Sequence, residues 1–256
     1  MTNCLLSTVN RADAATLTTD SEVTTLPVAN LQEPARQVVW RSAASACYLQ
    51  ADLGAAVALD AVALAGLNLA AADTIRLRLS AVSAGAGELL DTGAVASGVV
   101  AGYGTWLYVA AATIVARYLR LDFAVAAPLA YVQAGRLWAG PAVTPSANYD
   151  YGAEDAIADL SQVRRGVRSG RRFVDVGPKI RSFAFVLSNL NAAEGRQTVK
   201  DMLLAAGTSQ QVLFVPQPDG AYAARETYLG TIEDLRPITH RAHPVRSLPL
   251  RVVEDL

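Results

Sequence analysis

The chain has 256 residues and a formal net charge of −1, and its residues are 52% hydrophobic and 18% charged. This composition excludes an intrinsically disordered chain, which is poor in apolar residues and rich in charge. A net charge near zero also argues against a dedicated nucleic-acid-binding protein, because phosphate binding needs a basic excess or a strong basic patch. The length suits two domains of ordinary size or one large β-sandwich.

The apolar composition does not indicate a membrane protein. The most apolar window, residues 54–72, is rich in alanine and is interrupted by Asp60, Gly66 and Asn68, whereas a membrane span needs about 20 strongly apolar residues. Residues 1–10 lack the basic start and apolar core of a signal peptide, so we expect no targeting segment there. We therefore expect no membrane insertion.

The two cysteines, Cys4 and Cys47, are too few for the disulfide framework of a small secreted domain. We expect Cys47 to be a small buried hydrophobic residue. The pattern favours two thiols in a protein that is assembled in a reducing cytoplasm.

Hydrophobic alternation predicts β-strands in the first third of the chain. Residues 48–53 and 75–79 alternate between apolar and polar side chains, and residues 61–65 form a continuous apolar run. Gly54 and Gly66 are expected to separate these runs. Three short strands at roughly ten-residue spacing are typical of an antiparallel sandwich or barrel.

Six segments in this order resemble discoidin-like domains. They are residues 40–42 (WRS), 49–54 (LQADLG), 62–69 (VALAGLNL), 75–80 (IRLRLS), 117–121 (RYLRL) and 135–140 (GRLWAG). The resemblance implies a discoidin-like (jelly-roll) β-sandwich over residues 1–140. It also implies loops at one end of the sandwich that bind glycans or lipid head groups.

A domain boundary is predicted at residues 141–146, where two prolines follow Gly140. Residues 147–256 then read as a smaller β domain with one α-helix at about 190–206. The helix carries an apolar stripe and ends at Gly207; the stripe is Val199, Met202, Leu203 and Ala206. Pro249 indicates that the last strand is an edge strand or a bulged one.

The whole chain resembles siphophage-type tail-tip or baseplate proteins, of the distal-tail kind. The resemblance implies that the second domain is tail-tube-like and forms a homo-oligomeric ring, a hexamer, by joining sheets between subunits. It also implies contacts with the tube, hub and tip proteins, a location in the virion tail tip, and a contribution to host-surface attachment. The function that follows is structural.

No set of residues predicts catalysis, a metal site or a cofactor. His240 and His243 lie between Pro237 and Pro244, which disfavours a helix that would place both on one metal. No serine lies in a glycine-flanked nucleophile elbow. The nearby acidic residues Glu154, Asp155 and Asp159 fit a solvated face better than a glycosidase pair.

The strongest charge feature is the run VRRGVRSGRR at residues 163–172. Its arginines are candidates for contact with nucleic acid in a tail channel, or for a subunit interface on an exposed hairpin that bends at Gly166 and Gly170. The near-zero net charge favours the interface. The candidate interface residues are Arg164, Arg165, Arg168, Arg171 and Arg172.

Aromatic residues near glycine-rich loops suggest an alternative, that the protein is a carbohydrate-binding module without catalytic activity. Tyr103 and Trp106 are the candidate glycan contacts, since sugars stack on exposed aromatic faces. Trp106 also opens a predicted strand, where a core position is the competing interpretation.

Overall fold

The computed structural model describes residues 2–126, 129–165, 167–240 and 245–255. Within them the chain is mainly β with a single α-helix, as the sequence predicts. The strands up to residue 140 are β1 (Leu5–Ser7), β2 (Thr16–Thr19), β3 (Trp40–Arg41), β4 (Ala46–Ala65), β5 (Thr74–Ser80), β6 (Leu90–Asp91), β7 (Val95–Ala96), β8 (Trp106–Ala124), β9 (Gln133–Ala134) and β10 (Arg136–Gly140). The later elements are β11 (Glu154–Asp159), β12 (Gln162–Arg165), β13 (Arg172–Asp175), β14 (Lys179–Leu190), α1 (Val199–Ala206), β15 (Gln211–Val215), β16 (Tyr228–Ile232), β17 (Thr239–His240) and β18 (Arg246–Glu254).

The chain divides into two compact units. The first comprises Met1–Pro145 and Leu213–Thr227, and the second comprises Ser146–Val212 and Tyr228–Leu256. The division after Pro145 falls within the proline-flanked segment 141–146. Residues 213–227 rejoin the first unit because the end of β15 pairs antiparallel with β1, so that Leu6 lies opposite Phe214.

The main sheet of the first unit has the order β10-β4-β8-β5-β6, with β2 on β4 and β7 on β5. The break expected at Gly54 is wrong: residues 48–53 and 61–65 belong to one strand, because β8 pairs with both. The register between β4 and β8 shifts between Asp52 and Val57, next to Gly54, whose φ is +77°. Such bulges bend strands, so each long strand turns a corner and serves two layers.

Both halves of the long strands contribute to one hydrophobic core. Leu49 and Leu121 come from the half of the sheet beside β2 and β5, and Leu64 and Leu137 come from the half beside β10. All four side chains are buried. The sheet therefore folds over itself to form the predicted β-sandwich.

Buried Arg136 fixes the N-terminal segments to this sandwich. Its guanidinium donates to the carbonyl oxygens of Leu31 and Gln32, and it forms an ion pair with Asp13 at 2.6 Å. Only 2% of Arg136 is exposed. One side chain thus satisfies two backbone acceptors on one segment and a carboxylate on another, both of which precede the first long strand.

The sheet of the second unit contains β16, β18, β14 and β11 in that order, and β17 pairs with β18. Of the two predicted explanations for Pro249, an edge strand or a bulged one, the structure supports the bulged strand, because β18 has neighbouring strands on both sides. Pro249 lies opposite Val186 of β14, and it falls between the stretch of β18 that pairs with β17 and the stretch that pairs with β16. The register with β14 shifts between Leu187 and Leu190, so the strand is irregular beside the proline.

An aromatic cluster and a buried ion pair stabilise this sheet. Phe183 lies 5.5 Å from Tyr228 and 5.6 Å from Tyr149 between ring centroids. Arg181 pairs with Glu254 at 2.6 Å, with only 12% and 4% of these side chains exposed. The Arg181 guanidinium also lies 5.0 Å from the centre of the Tyr228 ring, which adds a cation–π contact.

The helical segment begins near residue 192, passes through a π-helix at Glu194–Thr198 and continues as α1. Gly207 ends it, with φ at +56° and its N–H donating to the Leu203 carbonyl, as predicted. Val199 and Met202 are buried in the folded chain and Leu203 is half-buried. Val199 and Met202 therefore contribute to packing within the folded chain. None of the helices in the described ranges is long and apolar enough to span a bilayer.

Candidate functional site

The arginine-rich run forms an exposed hairpin in the second unit, as the sequence predicts. β12 pairs antiparallel with β13, with Val163 opposite Val174 and Arg165 opposite Arg172. Because side chains alternate along a strand, these four share one face of the ribbon. Gly170 has a φ of +63°, which suits the bend, whereas Gly166 lies outside the described residues.

The five candidate interface arginines are all exposed on this hairpin: Arg164, Arg165, Arg168, Arg171 and Arg172. None of them forms an ion pair within the described parts of the chain. Arg165 and Arg172 even lie directly opposite each other, an arrangement of like charges that destabilises an isolated ribbon. The hairpin therefore carries uncompensated positive charge.

Exposed apolar side chains concentrate around the same hairpin. Of the 17 exposed large hydrophobic residues among those described, eight fall in the 26-residue segment 151–176. They are Tyr151, Ile157, Leu160, Val163, Val167, Phe173, Val174 and Val176. Scattered apolar residues on a surface are ordinary, but a concentration in one segment favours a role in an interaction.

β11 is the last strand of the second unit's sheet, and all six of its residues are exposed. Asp155, Ile157 and Asp159 alternate along it and therefore share one face. The hydroxyl and backbone N–H of Ser161 donate hydrogen bonds to the Asp159 carboxylate and lower its pKa. The sheet thus ends in an acidic, partly apolar strand, whose role the local sequence pattern did not indicate.

The two candidate glycan contacts occupy different environments. Trp106 is only 6% exposed and belongs to the hydrophobic core, so its ring is not available for sugar stacking, and we correct that assignment. Tyr103 is half-buried in a loop between Gly102 and Gly104. The Arg225 guanidinium lies 4.7 Å from the centre of its ring.

The outer face of the first unit's sheet is polar, but its charges are paired. Asp122 accepts hydrogen bonds from Arg78 and from Arg120, and the Arg120 guanidinium lies 3.8 Å from the centre of the Tyr48 ring. Arg76 forms a bidentate pair with Asp91 that lowers the pKa of that carboxyl. This face is internally neutralised, in contrast to the hairpin.

The described residues give little support for a metal site or for a reactive nucleophile. No group of three or more His, Cys, Asp or Glu side chains among them is placed to hold a metal ion. His240 is exposed in β17, and His243 lies outside the described residues. Burial raises the pKa of the Cys47 thiol to about 11, which keeps it protonated at neutral pH.

No protein-family model matches the chain, and no curated protein matches it. Solved structures resemble it over about half its length. The Clostridium perfringens protein CpGH89CBM32-6 is 12% identical, with 51% of this chain and 98% of that chain covered and a TM-score of 0.38. The lectin domain of lectinolysin, complexed with Lewis B antigen, is 14% identical (52% and 96% covered, TM-score 0.41).

A third similar structure is chitosan-binding module 1 of a chitosanase/glucanase from Paenibacillus sp. IK-5. It is 16% identical, with 52% of this chain and 99% of that chain covered and a TM-score of 0.40. Likeness at this level carries no argument about what this chain binds.

Proposed function

We propose that this chain is a non-catalytic structural subunit that assembles with copies of itself through β11 and the β12–β13 hairpin. The observation that carries the proposal is the concentration of exposed apolar side chains and unpaired arginines in residues 151–176. Leaving such a surface in water forgoes apolar burial worth about 25 cal/mol per Å². Covering it with a partner of opposite charge recovers that energy and compensates the arginines.

The pattern of side chains on the two elements supports a head-to-tail contact. One hairpin face offers Val163 and Val174 beside Arg165 and Arg172. The β11 face offers Ile157 between Asp155 and Asp159, so apolar residues and opposite charges match. An edge strand also has backbone groups that can accept another strand. Contacts between two different surfaces of the same protein give rings when the rotation closes.

The specific assembly that we propose is the tail tip or baseplate of a long-tailed bacteriophage. The proposal rests on the resemblance of the whole chain to distal-tail proteins. In that setting the second unit forms the ring, and the first unit stabilises neighbours or contacts the host surface. Its partners are further copies of this chain and the tube, hub and tip proteins.

Charge reversal tests the head-to-tail contact. One variant carries Arg165→Glu and Arg172→Glu, and a second carries Asp155→Lys and Asp159→Lys. Each reverses one side of the contact, so each alone sediments as a monomer in analytical ultracentrifugation. An equimolar mixture regains assembly, because each reversed surface then meets an opposite charge on the other variant.

A control variant, Arg11→Glu with Arg236→Glu, makes the same charge change at exposed positions elsewhere. It is expected to assemble like the wild type. Wild-type sedimentation of both reversed variants, or a mixture that stays monomeric, contradicts the proposed contact.

A second candidate function is carbohydrate binding by the first unit, for which Tyr103 and Arg225 provide the specific observation. The guanidinium lies over the half-buried ring, so two neighbouring loops bring an aromatic ring and a planar hydrogen-bond donor together. A glycan array tests it: Tyr103→Ala should lose any signal, and the control Tyr151→Ala, an exposed tyrosine of the second unit, should retain it. No wild-type signal, or equal signals for the two variants, excludes binding at this loop.

A further inference from the structure

The tip of the β12–β13 hairpin, residues 167–171, lies outside the strands of the described chain. Val167 is fully exposed at this tip, and every described residue from 162 to 176 is exposed as well. β12 and β13 also form a two-stranded sheet of their own. The tip, which carries Arg168 and Arg171, is therefore held in place only by the ribbon below it.

The ribbon below the tip opens at little cost. An isolated two-stranded hairpin is at best marginally stable in water. Here Arg165 lies opposite Arg172, and like charges directly opposite each other weaken the pairing further. Exposed loop tips on such weakly held segments are preferred sites of proteolytic cleavage, because the chain can straighten into the extended form that a protease binds.

The sequence of the tip sets the class of protease. No acidic residue occurs between Asp159 and Asp175, so the tip presents unbroken positive charge. Proteases that select arginine do so with a carboxylate in the pocket for this side chain. Arg168 is followed by Ser169, a small residue with a normal backbone N–H, and not by a proline.

We propose that the peptide bond between Arg168 and Ser169 is a cleavage site for arginine-specific proteases, and that cleavage prevents an unassembled chain from assembling. Hydrolysis adds one water across this bond. It leaves a carboxylate on Arg168 and a new amino group on Ser169, and it needs no other reagent.

The fold should survive the cut because the chain is anchored on both sides of the hairpin. β11 pairs with β14 through six residue pairs, and the Leu160 N–H donates to the Pro178 carbonyl at the base of the hairpin. The cut removes the connection that keeps β12 beside β13, so the two strands separate. The effect on assembly rests on the proposed function, since the hairpin face that contacts β11 is lost with the ribbon.

The test uses the scarcity of lysine in this chain. The only lysines are Lys179 and Lys200, which lie in β14 and α1. Arg168→Lys places one lysine in the tip without changing the charge, so that a lysine-specific protease addresses this bond and not those of the neighbouring arginines. Cleavage tracks the population of the open form, and we expect it to be at least about tenfold faster than in the wild type.

A matched variant, Arg196→Lys, places an equally exposed lysine in the π-helix and should be cut no faster than the wild type. The digest is made on dilute protein, and the mass of the denatured fragments locates the cut. A first cut at Lys179 or Lys200 of Arg168→Lys, or equal rates for the two variants, overturns the site. Loss of the cooperative thermal transition after the cut contradicts the claim that the fold survives.

Sedimentation of the cut Arg168→Lys protein tests the effect on assembly. The cut protein should remain monomeric at concentrations where the uncut variant assembles. A cut protein that still assembles overturns the control of assembly by cleavage. The charge-reversed variants then show which idea has failed: if they are monomeric, the proposed contact stands without this control, and if they also assemble, the proposed contact is itself wrong.

Discussion

At the scale of single residues, the first unit depends on a buried guanidinium. Arg136 holds two backbone carbonyls and Asp13, and almost none of it reaches solvent. Replacement by alanine leaves these acceptors without their donor, and buried acceptors without donors are costly. Arg136→Ala should therefore lower the free energy of unfolding by about 2–4 kcal/mol, as measured by urea denaturation. The exposed control Arg11→Ala should change the free energy of unfolding by less than about 0.5 kcal/mol. Equal effects of the two changes would contradict the stabilising role of Arg136.

A second prediction at this scale concerns acid sensitivity. The Glu88 carboxylate accepts hydrogen bonds from the Ser80 hydroxyl and from the backbone N–H groups of Ala81 and Val82, which lower its pKa to about 2 from the ordinary 4.5. Because the pKa is lower in the folded state, the stabilisation is complete above pH 4.5 and is lost as the pH falls towards 2. Wild type should exceed Glu88→Gln in stability at pH 6, and the difference should shrink towards pH 2. A difference independent of pH would contradict this role.

At the scale of elements, the bulge in β4 lets one strand serve both layers of the sandwich. Gly54 adopts a φ of +77° with open space around the position of a side chain. Only backbone strain opposes a larger residue there, so Gly54→Ala should destabilise the protein by about 1 kcal/mol in thermal or urea unfolding. The exposed neighbouring change Ala55→Ser provides the control. A neutral Gly54→Ala would show that the bulge does not require glycine.

The elements also show where local sequence patterns stop being informative. Alternation located β5 correctly, because the alternation of apolar and polar side chains along a strand is a local pattern. It split β4 at Gly54, because a bulge and a turn have the same glycine signal. It left open whether β18 is an edge strand or a bulged one, since the pairing of Pro249 depends on strands far away in the sequence.

The candidate surfaces follow the same rule. The arginines of the hairpin were identifiable from their density, and their exposure follows from their charge. The part of β11 in the proposed contact was not identifiable from the sequence. Asp155 and Asp159 fitted an ordinary solvated face, and only the sheet order shows that their strand lies at the edge.

At the scale of the whole molecule, we propose self-assembly through residues 151–176. Ionic contacts between the hairpin and β11 are partly exposed and should weaken with salt, because the Debye length falls from about 10 Å at 0.1 M to about 3 Å at 1 M. The apolar contacts do not weaken in this way. Assembly should therefore be reduced but not abolished in 1 M sodium chloride. If assembly did not change with salt concentration, the arginines would not contribute to the contact.

The most direct measurement is the native mass of the purified protein by light scattering over a range of concentrations. We expect a mass that is a multiple of the 26.9 kDa chain and that rises with concentration until it reaches the mass of a closed ring. The variant Arg165→Glu with Arg172→Glu should return the mass to that of one chain. A wild-type mass of one chain at every concentration would contradict assembly through this surface.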